Sequence, residues 1–193
     1  MIRVGTEDDA AAAAELHAGL VTEGFLPTLG TGFLRRLYRR IVRFEGSVLH
    51  VADDGGRIVG MAAGTTSVGA LYRSFLLHDG AAAAVLAAPG LARSIPKVWE
   101  TLRYGTTDDH GDLPAAEVLA VAVDGSAQGR GLGRSLVHAT LDALGDRNAG
   151  AVRVVAGGAN DAALRLYRSC GFESRATIEV HRGTPSEVLV WQR

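Results

Sequence analysis

Cysteine is nearly missing from this chain: among 193 residues there is one, Cys170. A lone cysteine cannot close an intrachain disulfide, and neither CxxC nor Cys/His zinc spacing exists, so a reducing compartment is expected. Neither sign of charge is in excess, with Lys+Arg 20 against Asp+Glu 21 and a net charge of -1. That balance does not suit a chain that must neutralise many phosphates, and no nucleic-acid partner is expected. Long apolar runs are absent too. The most apolar stretch, 81–92, is interrupted by Pro89-Gly90. It falls short of the roughly 20 residues a membrane span needs, so it reads as packed helix and no membrane partner is expected. The start of the chain places Glu7, Asp8 and Asp9 before any apolar run, unlike a secretory signal, which points to the cytoplasm. The histidines, at 17, 50, 78, 110, 138 and 181, show no HExxH or similar ligand spacing, so no metal is expected. His110, in a polar loop, is at most a substrate contact.

What is present is ordinary globular composition, 47% hydrophobic and 21% charged, enough for one core and a single domain over 1–193. Ile2-Arg3-Val4 is a strand candidate, and Thr6 with Asp9 resembles a capping box opening a helix to Leu20. A second helix is predicted from Thr31 to Phe44, with Leu34, Leu37, Tyr38 and Ile41 on one face. Arg36, Arg39, Arg40 and Arg43 share its other face, which reads as solvated. Asp53-Asp54-Gly55-Gly56 separates two β-rich runs, 48–52 and 57–65, as a hairpin turn does. The text from Val68 to Tyr104 is helical, broken by Pro89 and Pro96, and Gly105 to Pro114 is a polar loop. Glu117 to Val123 is a near-continuous apolar strand, expected at the centre of a sheet. A helix follows over Leu136 to Leu144, then a strand at 151–156, a helix from Asn160 to Ser169, and β-rich runs at 173–182 and 187–192.

Between the central strand and its helix stands Gln128-Gly129-Arg130-Gly131-Leu132-Gly133. Backbone N–H groups of such a loop converge on the positive end of a helix dipole, so an anion fits there. Gly129, Gly131 and Gly133 permit positive φ and close approach, which suits a phosphate nest. Arg130, Arg134 and Ser135 stand where charge and a hydroxyl add to it. The dinucleotide pattern GxGxxG fails at Arg134, and the Walker pattern fails at Gln128 and Arg134.

The pattern that fits, Val123, Gln128, Gly131 and Gly133, resembles the acetyl-CoA-binding motif of the GNAT superfamily of N-acetyltransferases. The opening Ile2-Arg3-x-x-Thr6-x-x-Asp9 is similar to the family's first strand and helix, and 116–123 to its fourth strand. Asn160, Ala163, Tyr167 and Gly171-Phe172 are similar to its second cofactor motif. The chain departs from many relatives at Gly125, where they carry proline, and in the long helical stretch before Glu117. The resemblance implies an α/β (α+β) fold: a mixed, mostly antiparallel central sheet of about seven strands flanked by helices, with extra helices before the fourth strand.

It also implies an activity: transfer of an acetyl group from acetyl-CoA to a primary amine by direct attack in a ternary complex, without a metal. Val121, Ala122 and Val123 then run along the pantetheine arm and supply a backbone N–H to the oxyanion, where the family's strand bulges and splays. The loop and first turn, Gln128 to Ser135, hold the pyrophosphate; Asn160 bonds the CoA arm, Ala163 lets it pass, and Tyr167 is the general acid. Glu117, an acid at the start of an apolar strand, is the candidate base. Taken singly, Tyr167 reads more often as a core aromatic and Glu117 more often as a surface carboxylate, while Cys170 reads as packing. A small-molecule amine is favoured over a protein acceptor, because the extra helices can roof a pocket. Monomer and homodimer are both open. Two other readings stay open: a non-catalytic acyl-CoA-binding regulatory module, and a nucleotide-binding enzyme that reuses the nest.

Overall fold

The computed structural model describes residues 1–21, 26–91, 113–181 and 184–193. In chain order the elements are β1 (Ile2–Val4), α1 (Ala10–Leu20), α2 (Thr31–Arg43), β2 (Ser47–Asp54), β3 (Arg57–Thr65) and α3 (Val68–Leu91). Then come β4 (Ala116–Val123), α4 (Leu132–Gly145), β5 (Ala151–Gly157), α5 (Asp161–Ser169), β6 (Glu173–His181) and β7 (Thr184–Gln192). The strands form a 7-stranded sheet in the order β1-β2-β3-β4-β5-β7-β6, antiparallel except between β4 and β5. The expected mixed sheet with flanking helices is therefore present. No helix among the described residues is long and apolar enough to cross a membrane.

Two apolar layers cover the sheet. On one face Ala10, Ala13 and Ala14 of α1 and Leu34, Leu37, Tyr38 and Ile41 of α2 pack with Leu71 and Phe75 of α3. Alanines spaced by three and four residues let α1 lie close, and every one of these residues is buried. On the other face Val137, Leu141 and Leu144 of α4 join Leu164 and Tyr167 of α5 over β4, β5 and β7. α4 sits tightly on β3 because Gly64 leaves room: a Cβ there would stand 2.7 Å from the Thr140 methyl and 3.0 Å from Leu144.

Two expectations change. α3 is continuous through Pro89 as far as Leu91, where the described residues stop, so the expected break at Pro89 is not there. The expected pieces beyond it, the break at Pro96, the polar loop up to residue 112 and His110 all lie outside the described residues. The arginine face of α2 is not simply solvated. Arg40 donates to Asp79 of α3 at 2.7 Å with both side chains nearly buried, Arg36 lies 3.8 Å from the same carboxylate, and Arg43 pairs with Glu7. The two bonds to Asp79 tie the middle of α3 to α2, and the Arg43–Glu7 pair ties α2 to the turn before α1.

Buried histidines belong to the packing. His17 Nδ1 lies 2.7 Å from the Tyr38 hydroxyl, which also contacts the Met61 sulfur, and His50 lies 3.3 Å from the Thr140 hydroxyl. Burial holds the His17 imidazole down at about 4, against 6.5 in the open. Unfolding takes up a proton between those values, so this part of the stability is complete above pH 6.5 and is lost as the pH falls toward 4. Chemical denaturation followed over that window should show a loss of about 3 kcal/mol, and His17→Gln should flatten the slope. Gly64→Ala should cost about 1–3 kcal/mol through the contact with α4.

Candidate active site

β4 ends at Val123, and the chain turns at once through a capped bend. The Asp124 carboxylate accepts from the Ser126 N–H at 2.9 Å and from its hydroxyl at 2.5 Å, so Asp124 holds the turn. The Gln128 amide then donates back to the Val123 carbonyl at 3.0 Å, tying the loop to the strand it leaves. Gly129 and Gly131 take φ of 75° and 76°, and Gly131 caps α4. That left-handed pair curls the backbone. The first helical bond runs from Ser135 N–H to Gly131 C=O, so the N–H groups of 129–134 find no acceptor among the described residues. They converge at an exposed helix N-terminus, which is the arrangement an anion satisfies.

Gly133 plays a different part from the one its spacing suggests. Its φ is not positive, and a Cβ there would meet the Leu166 side chain at 3.4 Å. That is an ordinary van der Waals distance, so α5 packs on the first turn of α4 without requiring glycine at 133, while the Gly133 N–H still joins the row. The side chains around the loop are exposed and partly engaged: Arg130 lies 3.4 Å from Asp54, and the Ser135 hydroxyl returns to the Gly131 carbonyl at 3.3 Å. Arg134 is exposed.

The strand beside the loop opens. β4 and β5 pair only at Ala116↔Val152 and Glu117↔Arg153. Beyond Glu117 the β5-facing edge of β4, including Val121, Ala122 and Val123, has no ladder partner in β5, although β3 pairs its other edge. The register shift between Ala63 and Gly64 leaves Leu119 unmatched, a bulge that lies two residues before Val121. Its effect is to invert the alternation. Ala116 and Val118 pack with the α4/α5 layer, whereas Ala120 and Ala122 pack with the α1/α2 layer.

α5 forms one wall of this opening. Asn160 caps it, its side-chain oxygen accepting from the Ala163 N–H at 3.0 Å, which leaves the amide NH2 without a partner among the described residues. Ala163 is half-buried, and Tyr167 is buried with its ring edge-on to Phe172 at 5.6 Å. Cys170 sits in the same cluster, its thiol pushed up by burial, as a packing residue.

Glu117 belongs to the opposite face. Preceding the bulge, it alternates with Ala116 and Val118 and so points to the α1–α3 side. Arg153 donates to it at 2.7 Å, and Tyr72 of α3 lies near enough for its charge to act on the phenol. Burial pushes the Glu117 carboxyl up, and the charge and hydrogen bond of Arg153 offset this only in part, so it stays above the ordinary carboxylate range. Tyr167 and Glu117 thus approach the β4/β5 opening from opposite faces of the sheet. Arg153 and Tyr72 escaped sequence reasoning: the arginine is one polar residue in an alternating strand, and the tyrosine blends into an apolar helix.

A family model described as the acetyltransferase (GNAT) family matches residues 20–172. A mycothiol acetyltransferase from Rhodococcus jostii (strain RHA1) is 52% identical over 64 residues, 33% of this chain and 21% of that protein. Another, from Thermomonospora curvata, is 44% identical over 79 residues, 41% of this chain and 26% of that protein. The chain therefore spans about a fifth to a quarter of the length of these relatives. Among solved structures, a ribosomal-protein-alanine N-acetyltransferase from Brucella melitensis superposes with a TM-score of 0.67 at 18% identity, covering 100% of this chain and 99% of that one. The protein yncA from Salmonella typhimurium, solved with its cofactor acetyl-CoA, gives 0.64 at 23% identity, covering 100% and 92%. These neighbours share the fold, and the family match runs from α1 through the glycine loop to the end of α5, so this chain belongs to the acetyltransferase (GNAT) family.

Proposed function

We propose that the protein transfers an acetyl group from acetyl-CoA to the primary amine of a small molecule, by direct attack in a ternary complex. The observation that carries this reading is the row of N–H groups at 129–134 that find no acceptor among the described residues, set beside a strand edge that has no ladder partner in β5. A pyrophosphate satisfies the first and an extended pantetheine arm suits the second. Gln128 to Ser135 then hold the diphosphate, with Arg130 and Arg134 adding charge at the rim. Val121, Ala122 and Val123 face the arm, Asn160 offers it the side-chain NH2 that its capping bond does not use, and Ala163 leaves it room.

The chemistry divides between the two faces. Glu117 takes the proton of the attacking amine, directly or through water, as the N–C bond forms. A backbone N–H on the open edge of β4 receives the charge that develops on the carbonyl oxygen. As the C–S bond breaks, the Tyr167 hydroxyl gives its proton to the departing thiolate. A phenol holds its proton at neutral pH and can pass it to sulfur once the thiolate charge develops. The relatives named as mycothiol acetyltransferases favour a small-molecule acceptor over a protein.

Thiol release from acetyl-CoA across amino sugars, polyamines and amino-acid derivatives tests the activity. At least one amine should be turned over, with kcat lowered about 100-fold or more in Tyr167→Phe and Glu117→Gln. Tight CoA binding with no turnover on any amine, and no effect of Tyr167→Phe, would favour a regulatory module. Excess CoA should stabilise the fold by about 3 kcal/mol at a hundredfold over Kd, where ATP and NAD should not. Asn160→Ala should cost about 1 kcal/mol of stability by uncapping α5. Asn160→Asp keeps the cap oxygen, so it should fold like the parent yet bind CoA more weakly in a direct titration.

A further inference from the structure

The last rung of the β4/β5 ladder sets Glu117 beside Arg153, and the Arg153 Nε donates to Glu117 Oε2 at 2.7 Å. Both side chains are largely out of water, 17% and 19% exposed. Beyond this rung the strands part, so the ion pair stands where the gap begins. We propose that Arg153 is the positioning residue of the acceptor side, fixing the Glu117 carboxylate at the apex of the β4/β5 gap. The inference rests on the reading of Glu117 as the base.

A carboxylate that serves as a base must be ionised and must present a lone pair in a fixed direction. Arg153 meets both needs. By engaging Oε2 it holds the side chain against β5 and leaves Oε1, which has no partner among the described residues, to take the proton. Burial alone would favour the protonated acid, and the guanidinium opposes it through its charge and its hydrogen bond. The other groups that face Glu117 do not replace it. Tyr72 of α3 is a phenol pushed up to about 12, by burial first and then by the Glu117 charge, and so stays neutral. Thr65, the β3 partner of Glu117, carries no charge and bonds to the Ser47 hydroxyl. Among the described residues, Arg153 is the cation paired with Glu117.

The carboxyl carbon of Glu117, followed by NMR against pH, reads this directly and needs no acceptor. In Arg153→Met and Arg153→Gln the midpoint should rise by about one pH unit, and in Arg153→Lys it should stay near the parent value. In the parent, the Arg153 Nε proton should shift with the same midpoint as Glu117, a measurement that holds even if a neutral variant does not fold. With an amine that is turned over, the acid limb of kcat/KM should move together with the NMR midpoint. An unmoved midpoint in the neutral variants, or an Arg153 Nε proton indifferent to the Glu117 titration, overturns the inference. If Glu117→Gln keeps both rate and acid limb, the base reading falls and this inference falls with it. A limb that vanishes in Glu117→Gln but stays put in both neutral Arg153 variants overturns the inference alone.

Discussion

In a sheet whose other neighbours pair along most of their length, β4 and β5 meet at two residue pairs and then separate. Backbone groups on the freed edge of β4 keep their need for hydrogen bonds, and in a sheet interior that need is costly unless something extended fills the gap. The same separation lets groups from the two faces address one point. Without it, Tyr167 in the α4/α5 layer and Glu117 on the α1–α3 side would be divided by a closed sheet. The bulge at Leu119 contributes a second effect, because it inverts which side chains of β4 face which layer without breaking the pairing to β3.

The helix that follows β4 supplies the complementary electrostatics. Its N-terminus is extended by a loop whose two left-handed glycines aim consecutive N–H groups outward, and its placement depends on contacts far from the loop. Gly64 seats α4 on β3, and Leu166 of α5 lies against the first turn of α4, so the glycine loop and the Tyr167 wall are held by helix packing. Rigid support of this kind is what a site needs to bind a flexible cofactor without ordering itself at the same time.

Local features of the fold were legible in the sequence because their physics is local. The α1 and α2 apolar faces, the Asp53–Gly56 turn, and the strand-loop-helix at 117–133 depend on spacing within a few residues, and the structure places them where spacing does. What escaped is set by partners distant in sequence. Arg40 looked solvated until Asp79 came from α3, Gly133 looked like a loop residue until Leu166 lay against it, and Arg153 gained meaning only from the parallel rung opposite Glu117. Pro89 misled for a different reason: proline lowers helix propensity locally, yet α3 is helical on both sides of it.

The central claim is that one continuous donor site runs from the nest at 129–134 through the gap between β4 and β5. A crystal structure of the protein with acetyl-CoA tests it most directly. The account predicts diphosphate oxygens within hydrogen-bonding distance of those N–H groups, the pantetheine arm along the free edge of Val121–Val123, and the thioester between Tyr167 and Glu117. Acetyl-CoA bound elsewhere, or β4 and β5 zipped together beyond Glu117 with the ligand outside, would contradict it.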